Sequence, residues 1–396
     1  MSGSNLEHGL FLAPYHDVQE SPTIALRRDL EIVEWADRLG FAEAWFGEHH
    51  STGWETICSP ELMIAAAAER TQRIRLGTGV VSMPYHNPLM VANRILQLDH
   101  MTMGRVMFGM GPGLLPTDAE MIGVDIRSLR EKLTEVAEII VPLLRGEEVT
   151  HRTSWYDLQR ARTHLRPYTQ PHPEIAVASA ITPSGGMLAG RHGFGMLCVA
   201  ATEAAGFDVL DENWRIANQV AAERGHTMDP RRLRLVVPMH VAATREKARE
   251  DVREGLARWV QYFDRVAPAG MRGMAGGDPV DILVGAGRAV IGTPDDAIAM
   301  IERLQAKQGD FGVLLLQAHN WAEWEETKKS YELYARFVMP HFAGTNRNRQ
   351  ESYGQLSANI DRLEGERQAG ADAAFSAWQR IRRKGEEAGE ADGESV

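Results

Sequence analysis

The sequence is poor in cysteine: only Cys58 and Cys198 occur in 396 residues. They stand far apart and without metal-ligand spacing, so the sequence indicates neither a disulfide framework nor a zinc site. No apolar run has the length of a membrane span, and the N-terminus lacks the basic and apolar regions of a secretory signal. These absences predict a soluble protein of the reducing cytoplasm, without a bound metal and without a membrane partner.

Positive charge is also in deficit, since 43 Lys and Arg face 54 Asp and Glu, for a formal net charge of -11. A generic nucleic-acid binder or a protein held on an acidic membrane would favour a basic face, so this balance argues against both. The hydrophobic content of 44% is enough for a sizeable core. The length suits one large α/β domain with insertions, or two ordinary domains.

Short apolar runs alternate along the chain with segments of helical spacing. Helix starts are marked by Ser21-Pro22, Ser59-Pro60 and Thr293-Pro294, where a capping residue precedes proline at the first helical position. The eight apolar runs are predicted strands at residues 6–12, 41–46, 74–81, 106–110, 175–178, 195–199, 233–242 and 312–317. This order predicts a parallel (β/α)8 barrel, with a doubly wound open sheet as the alternative.

Three segments depart from the alternation. Residues 146–173 are predicted to be an insertion, with a hairpin as one form, and Ala267 to Gly287 has the length and composition of a lid. Residues 1–342 are therefore assigned to the barrel domain and 343–396 to a helical extension. The extension is predicted to be amphipathic, interrupted at Gly370 and disordered at its acidic end, and to pack on the barrel or on a second subunit.

Chemically distinctive residues follow four predicted strands, whose carboxyl ends would meet at one mouth of a barrel. Glu48-His49-His50 could move protons near neutral pH, because histidine titrates in that range. Gly111-Pro112-Gly113 and the small residues from Gly79 to Pro84 would let backbone approach a flat ring. Thr182, Ser184 and Gly185 could hold a phosphate at a helix start. Turn formation and helix capping are the structural alternatives for the glycines and hydroxyls.

Several of these segments together resemble the bacterial luciferase-like flavin monooxygenases. The segments that carry the resemblance are Phe46–His50, Leu76–Gly79 with Pro84 and Asn87-Pro88, Leu98–Arg105, Phe108–Gly113 and Ile291–Pro294. Residues 318–323 and 330–340 are similar, more narrowly, to the limonene 1,2-monooxygenase branch. The resemblance covers roughly residues 6–342.

The resemblance implies a (β/α)8 barrel that binds reduced FMN delivered by a separate NAD(P)H:flavin reductase. It also implies that O2 supplies one oxygen atom to an organic substrate. His49 would assist proton transfer at the flavin, with Glu48 or His50 orienting it. A non-prolyl cis peptide would lie at Gly79-Val80 beneath the flavin ring, and the phosphate contacts map to Thr182, Ser184 and Gly185. Gly111 and Gly113 are further candidate flavin contacts.

The chain departs from the family where the luciferases have Cys-Arg-Gly and this sequence has Gly111-Pro112-Gly113. Loss of that arginine removes a charge-assisted phosphate contact, so the phosphate must be held from elsewhere. Loss of the reactive cysteine argues against light emission from an aldehyde.

The narrower resemblance implies a small apolar, terpene-like substrate. The oxygenation could be an epoxidation, a hydroxylation or a Baeyer-Villiger reaction. Five residues are candidates for the substrate pocket, and each is equally compatible with a core position: Phe11, Trp54, Met83, His240 and Trp321. Three other functions stay open: a deazaflavin (F420)-dependent hydride-transfer oxidoreductase, a non-catalytic flavin-binding protein, and a scaffold that uses the helical extension. A homodimer or higher homo-oligomer is expected.

Overall fold

Eight parallel strands close into a barrel in a computed structural model that describes residues 6–266 and 277–393. The barrel strands are β1 (Glu7–Leu12), β2 (Glu43–Phe46), β3 (Arg75–Thr78), β5 (Val106–Gly111), β8 (Glu174–Ser179), β9 (Gly195–Cys198), β10 (Leu233–Val241) and β12 (Val313–Ala318). β10 pairs with both β9 and β12, and β12 pairs with β1, so the sheet has no open edge along this path. The predicted (β/α)8 barrel is confirmed, and the doubly wound open sheet is excluded.

Helices follow the barrel strands at the predicted starts. In α1, α2, α3 and α11 a proline occupies the start of the helix, where its missing N–H has no helical partner to lose. The helices of the barrel unit are α1 (Pro22–Leu39), α2 (Pro60–Ala68), α3 (Pro88–Met101), α4 (Pro116–Ile122), α5 (Leu129–Leu144), α6 (Ser184–His192), α7 (Ala204–Asp208), α8 (Leu210–Glu223), α9 (Arg245–Val266), α10 (Pro279–Gly285), α11 (Pro294–Gln308), α12 (Trp324–Leu333) and α13 (Met339–Ala343).

Four short strands are added to the barrel. β6 (Val149–Arg152) and β7 (Asp157–Ala161) form an antiparallel hairpin, which confirms the hairpin form of the predicted insertion. β4 (Val81–Ser82) follows β3 and pairs with β5, and β11 (Val290–Gly292) pairs with the end of β10. Residues 267–276 of the predicted lid lie outside the described residues, and the remaining part contains α10.

The apolar side chains of the barrel unit form three clusters. The main core lies between the strands and the surrounding helices, and a second cluster fills the barrel around Trp45, Val236 and Leu315. The third, here called the α9 cluster, joins α9 and α10 to Trp321, with Trp54 packed against it. The α9 cluster places a long helix beside the loops that follow β1, β2 and β12.

The chain divides by its contacts into Met1–Ala343 and Gly344–Val396. The second unit consists of α14 (Arg347–Ala358) and α15 (Ile360–Gly393). Gly370 lies inside α15, so the predicted interruption at that residue is wrong. One glycine costs a helix about 1 kcal/mol, which weakens it without ending it. Among the described residues, no helix is both long and apolar enough to cross a bilayer.

Candidate active site at the carboxyl end of the barrel

Glu48 is the centre of the loop that follows β2. Its side chain is buried, and its Oε1 lies 2.9 Å from Nε2 of His50 and 2.6 Å from Nε2 of His86. The backbone N–H of Ser82, beyond β3, donates to Oε2 at 2.6 Å. One carboxylate therefore ties the β2 loop to the segment that follows β3.

This arrangement fixes the charge of Glu48. Burial alone would raise the pKa of its carboxyl, but the hydrogen bonds from His50 and His86 outweigh burial and lower that pKa to about 2. The same bond to Glu48 raises the pKa of His50. Although three potential ligand side chains meet here, the described residues contain no group that could hold a metal ion. The cluster is a hydrogen-bonded ion network.

His49 lies between two other carboxyl groups. Its Nδ1 is 3.2 Å from Oδ2 of Asp118, which belongs to α4, and its Nε2 is 3.2 Å from Oε2 of Glu55. Asp118 also accepts hydrogen bonds from the backbone N–H of His50 at 3.1 Å and from Oγ of Ser51 at 2.5 Å. Both ring nitrogens of His49 are thus held from opposite sides, and the ring has a fixed direction.

The two carboxyl groups differ in their electrostatics. Burial would lower the pKa of His49, but the Glu55 charge and the Asp118 hydrogen bond raise it. Burial would raise the pKa of Asp118, yet the hydrogen bonds from His49 and Ser51 lower it. Burial raises the pKa of Glu55 by more than His49 and Tyr262 lower it. The site therefore pairs a firmly ionised Asp118 with a Glu55 that takes up a proton more readily.

A floor of small residues lies next to this network. The Gly79-Val80 peptide is cis, which confirms the position expected from the family resemblance. A Cβ on Gly79 would meet the Trp45 side chain at 2.9 Å and Phe11 at 3.1 Å. A Cβ on Gly111 would meet Val80 at 2.6 Å. Only glycine lets the backbone come this close to Trp45 and Phe11 at position 79 and to Val80 at position 111.

Gly113 and Tyr85 form the edge of this floor. Gly113 has a φ of 84°, and a Cβ there would meet the Tyr85 hydroxyl at 2.5 Å. That hydroxyl is buried and has no hydrogen-bond partner among the described residues. The Tyr85 ring packs edge-on against His50, with ring centroids 6.2 Å apart. A buried phenol without a partner is a free donor beside the imidazoles.

The turn after β8 carries exposed hydroxyls. The side-chain oxygens of Thr182 and Ser184 lie 2.9 Å apart; Thr182 precedes α6, and Ser184 is its first residue. Gly185 is buried, and a Cβ there would meet the carbonyl oxygen of Ala178 at 2.6 Å. Gly185 thus lets α6 pack closely on β8, while the hydroxyls and the N-terminal amides of α6 face outward as anion donors.

The three groups of residues lie at the same end of the barrel. Each follows the carboxyl end of a parallel strand, and these strands are neighbours in the order β2, β3, β5, β8. The bond from Ser82 to Glu48 joins the histidine loop to the floor. Gly111 joins the floor to β8, because its Cβ position lies 3.4 Å from Ala178. The sequence analysis predicted that these residues would meet at one mouth of the barrel.

The five predicted pocket residues are placed in different surroundings. Phe11 belongs to the cluster inside the barrel, and partly buried Trp54 packs on the α9 cluster. Met83 is fully buried in the main core, His240 is buried with its Nε2 3.1 Å from Asp251, and Trp321 is buried and stacked on His319. The burial of the last three side chains agrees with the core alternative, and their place in a substrate pocket stays a prediction.

Several side chains of the site were not predicted from the sequence. Each of them contacts a residue of the loop that follows β2 or belongs to that loop: Asp118, Glu55, His86, Tyr85 and Tyr262. His86 follows β4 and could have been suspected from its place after a barrel strand. The others carry no local signal, because their contacts depend on the tertiary fold.

Comparison with known proteins agrees with the geometry. Residues 6–310 match the family model described as luciferase-like monooxygenase. The chain is 46% identical to limonene 1,2-monooxygenase of Rhodococcus erythropolis, over 88% of this chain and 90% of that protein. It is 42% identical to 4-hydroxyprotoasukamycin monooxygenase of Streptomyces nodosus subsp. asukaensis, over 89% and 96%.

A solved structure extends the comparison. The oxygenating constituent of 3,6-diketocamphane monooxygenase from Pseudomonas putida, a type II Baeyer-Villiger monooxygenase in complex with FMN, aligns with a TM-score of 0.72 at 27% identity. The alignment covers 85% of this chain and 98% of that one. All three relatives are monooxygenases, which supports an oxygenase activity. The chain belongs to the luciferase-like monooxygenase family.

Proposed function

We propose that this chain is the oxygenase component of a two-component flavin-dependent monooxygenase. It would bind reduced FMN supplied by a separate NAD(P)H:flavin reductase and use O2 to place one oxygen atom in a small apolar substrate. The observation that carries the proposal is His49, held between two carboxyl groups beside the glycine floor. The identity to limonene 1,2-monooxygenase supports a terpene-like substrate.

The residues present fit FMN. Of the floor residues Gly79, Val80 and Gly111, only Val80 carries a side chain, and that side chain is apolar, as contact with a flat ring would require. Tyr85 offers a buried hydroxyl without a hydrogen-bond partner among the described residues. Thr182 and Ser184, with the first amides of α6, would hold the phosphate. These donors would replace the arginine that the family has at Pro112. Bound reduced FMN would supply the electrons that activate O2.

The protein would provide proton control and shielding. His49 would hold or release a proton at a ring nitrogen near neutral pH, because its pKa is raised by Glu55 and Asp118 despite burial. Glu48 would keep the loop in place through His50, His86 and the Ser82 amide. The aromatic side chains of the α9 cluster would exclude water from the mouth.

The test is oxygen incorporation with a labelled gas. Protein, reduced FMN and limonene are mixed under 18O2, and the product is analysed by mass spectrometry. We expect one 18O atom in the product of the wild-type protein, and about 100-fold less product from His49→Ala because a general acid or base is removed. The alternatives predict other results: a hydride-transfer enzyme would need F420 and incorporate no 18O, and a flavin-binding protein would give no product.

A matched control uses His164→Ala, a histidine exposed in the connection between β7 and β8. It should leave both product and flavin affinity unchanged. Equal turnover of His49→Ala and wild type, at equal flavin consumption, would remove His49 from its role. A failure of FMN to bind to wild-type protein would end the proposal as a whole.

The proposal extends to assembly and location. We propose a homodimer or higher homo-oligomer, and a location in the reducing cytoplasm, with which the two free cysteines Cys58 and Cys198 agree. Residues 343–396 would act as a separate helical extension of the barrel. Sedimentation of the full chain measures the assembly state directly.

A further inference from the structure

Glu55 is the second carboxyl group on His49, and it reaches the ring from the side opposite Asp118. Its Oε2 lies 3.2 Å from Nε2 of His49, and its side chain is buried. Asp118 also accepts from the His50 amide and Ser51, whereas the hydrogen-bond and ion-pair partners of Glu55 among the described residues are Tyr262 and His49. Glu55 thus pairs with His49 alone in this loop, while Asp118 also binds the loop backbone.

Tyr262 holds Glu55 from the other side. Its hydroxyl donates to Oε1 of Glu55 at 3.0 Å, and its ring belongs to α9, more than 200 residues further along the chain. Tyr15 and Trp54 pack against the same ring, with centroids 5.0 and 5.5 Å away. These rings keep water from Glu55, so the carboxyl group depends on Tyr262 and His49 for its hydrogen bonds.

We propose that Glu55 is a positioning residue for His49, and that Tyr262 fixes Glu55 so that α9 sets the direction and protonation of the imidazole. The chain Tyr262, Glu55, His49 connects a long helix beside the barrel mouth to the residue on which proton transfer depends. The inference rests on the proposed function only where it assigns the His49 proton to flavin-dependent oxygenation. The positioning itself is a property of the protein without flavin.

The charges that face His49 come from three elements. The β2 loop contributes Glu48, His50 and Glu55, α4 contributes Asp118, and α9 contributes Tyr262 through Glu55. A carboxylate on each ring nitrogen favours the protonated imidazole, and loss of either one disfavours it. Glu55→Gln keeps the volume and an oxygen acceptor for Tyr262 but removes the charge. The substitution should therefore lower the pKa of His49.

The experiment is an NMR titration of the histidine rings in flavin-free protein, with the His49 signal assigned by its loss in His49→Ala. We expect the pKa of His49 to fall by about one unit in Glu55→Gln, as for removal of a nearby opposite charge. Tyr262→Phe should lower the pKa of His49 in the same direction by less, since loss of the donor favours protonation of Glu55. A His49 pKa within about 0.2 unit of wild type in Glu55→Gln would overturn the proposal.

Glu61→Gln is the matched control. Glu61 is also a buried glutamate, but it pairs with Arg94 at 2.9 Å and accepts from Ser59. Its removal should lower stability without moving the His49 titration. If it moved that titration as far as Glu55→Gln does, the effect would be general and the proposal wrong.

A second measurement separates this inference from the proposed function. If flavin-dependent oxygenation is observed, its pH profile should shift to lower pH in Glu55→Gln, by the same amount as the His49 titration. If no oxygenation is observed but the titration shifts, the positioning role stands and the proposed function fails. If oxygenation is observed and neither the profile nor the titration shifts, the positioning role is wrong.

Discussion

At the residue scale, the site depends on the buried carboxylate of Glu48, which three hydrogen-bond donors hold in place. Glu48 is buried, and its two oxygens accept from His50, His86 and the Ser82 amide. A buried carboxylate with this many donors keeps its charge and its direction, because either change would leave donors unpaired. His49, the histidine that Glu48 does not bind, is held instead by Asp118 and Glu55. Neighbouring histidines thus have different partners and different tasks.

The contribution of Glu48 to the free energy of unfolding should decrease at both low pH and high pH. Its pKa, lowered from 4.5 to about 2, favours folding above pH 4.5, and this contribution is lost as pH falls from 4.5 toward 2. The raised pKa of His50 favours folding below its ordinary value of 6.5, and this contribution is lost as pH rises through the raised value. We expect Glu48→Gln to cost about 3 kcal/mol between pH 4.5 and 6.5, and less at pH 3 or pH 9.

Urea unfolding of wild type and Glu48→Gln at these pH values measures the difference. A cost that is the same at pH 3 and pH 5.5 would show that the charge of Glu48 is not what stabilises the loop. His164→Ala, at the exposed histidine between β7 and β8, serves as the control and should change the stability little at any of these pH values.

The sequence predicted the histidines of the site but not their partners, for a physical reason. A strand end and its titratable residues are local features, so Glu48, His49 and His50 could be placed at a barrel mouth from ten residues of sequence. Asp118 and Tyr262 are 69 and 207 residues away from the groups they bind. Such pairs form only when the barrel closes, and no local pattern marks them.

At the element scale, α6 is held in place by glycines that face α8. A Cβ on Gly186 would meet the Asn213 carbonyl oxygen at 2.5 Å, and one on Gly190 would meet the Ala217 carbonyl oxygen at 2.3 Å. These contacts are with backbone, so no side chain can move aside to relieve them. The close packing fixes the position of the first turn of α6, which begins at Ser184 and directly follows Thr182 and Pro183. The glycines were visible in the sequence, but their helical partner was not.

Gly190→Ala should therefore displace α6. We expect a loss of about 1 to 3 kcal/mol in the free energy of unfolding, as for overpacking of a close contact. FMN affinity should also fall, because the displaced helix carries the proposed phosphate donors. Urea unfolding and an anaerobic FMN titration measure the two effects.

Gly365→Ala in α15 is the matched control, since no atom lies within 4 Å of its Cβ position. The same substitution there should stabilise the helix by about 0.5 to 1 kcal/mol and leave FMN affinity unchanged. Equal stability and equal FMN affinity of Gly190→Ala and wild type would contradict the role given to this packing.

At the scale of the whole molecule, the barrel has a different chemistry at each end. The carboxyl end holds the histidines, the glycine floor and the hydroxyls, while the opposite end holds a buried charge network. There Arg234 is fully buried, with its Nε 2.7 Å from Glu43 and its Nη2 2.8 Å from Glu174. Trp45 donates to Glu43 at 2.8 Å and lies under the guanidinium. The alternation of strands and helices predicted the barrel, but it gave no sign that charges fill one end.

This separation predicts that the network supports the fold and not the chemistry. Glu43→Gln should cost about 3 kcal/mol, because the Arg234 cation loses a buried partner and cannot reach water. Burial would lower the pKa of Arg234, but Glu43 and Glu174 raise it, so the arginine stays charged and the loss is felt at every pH in ordinary use. Glu7→Gln, at an exposed glutamate that pairs with Arg75 at 3.2 Å, should cost less than about 1 kcal/mol. Urea unfolding and FMN titration of both variants test the division: a Glu43→Gln protein that loses FMN affinity while keeping its stability would contradict it.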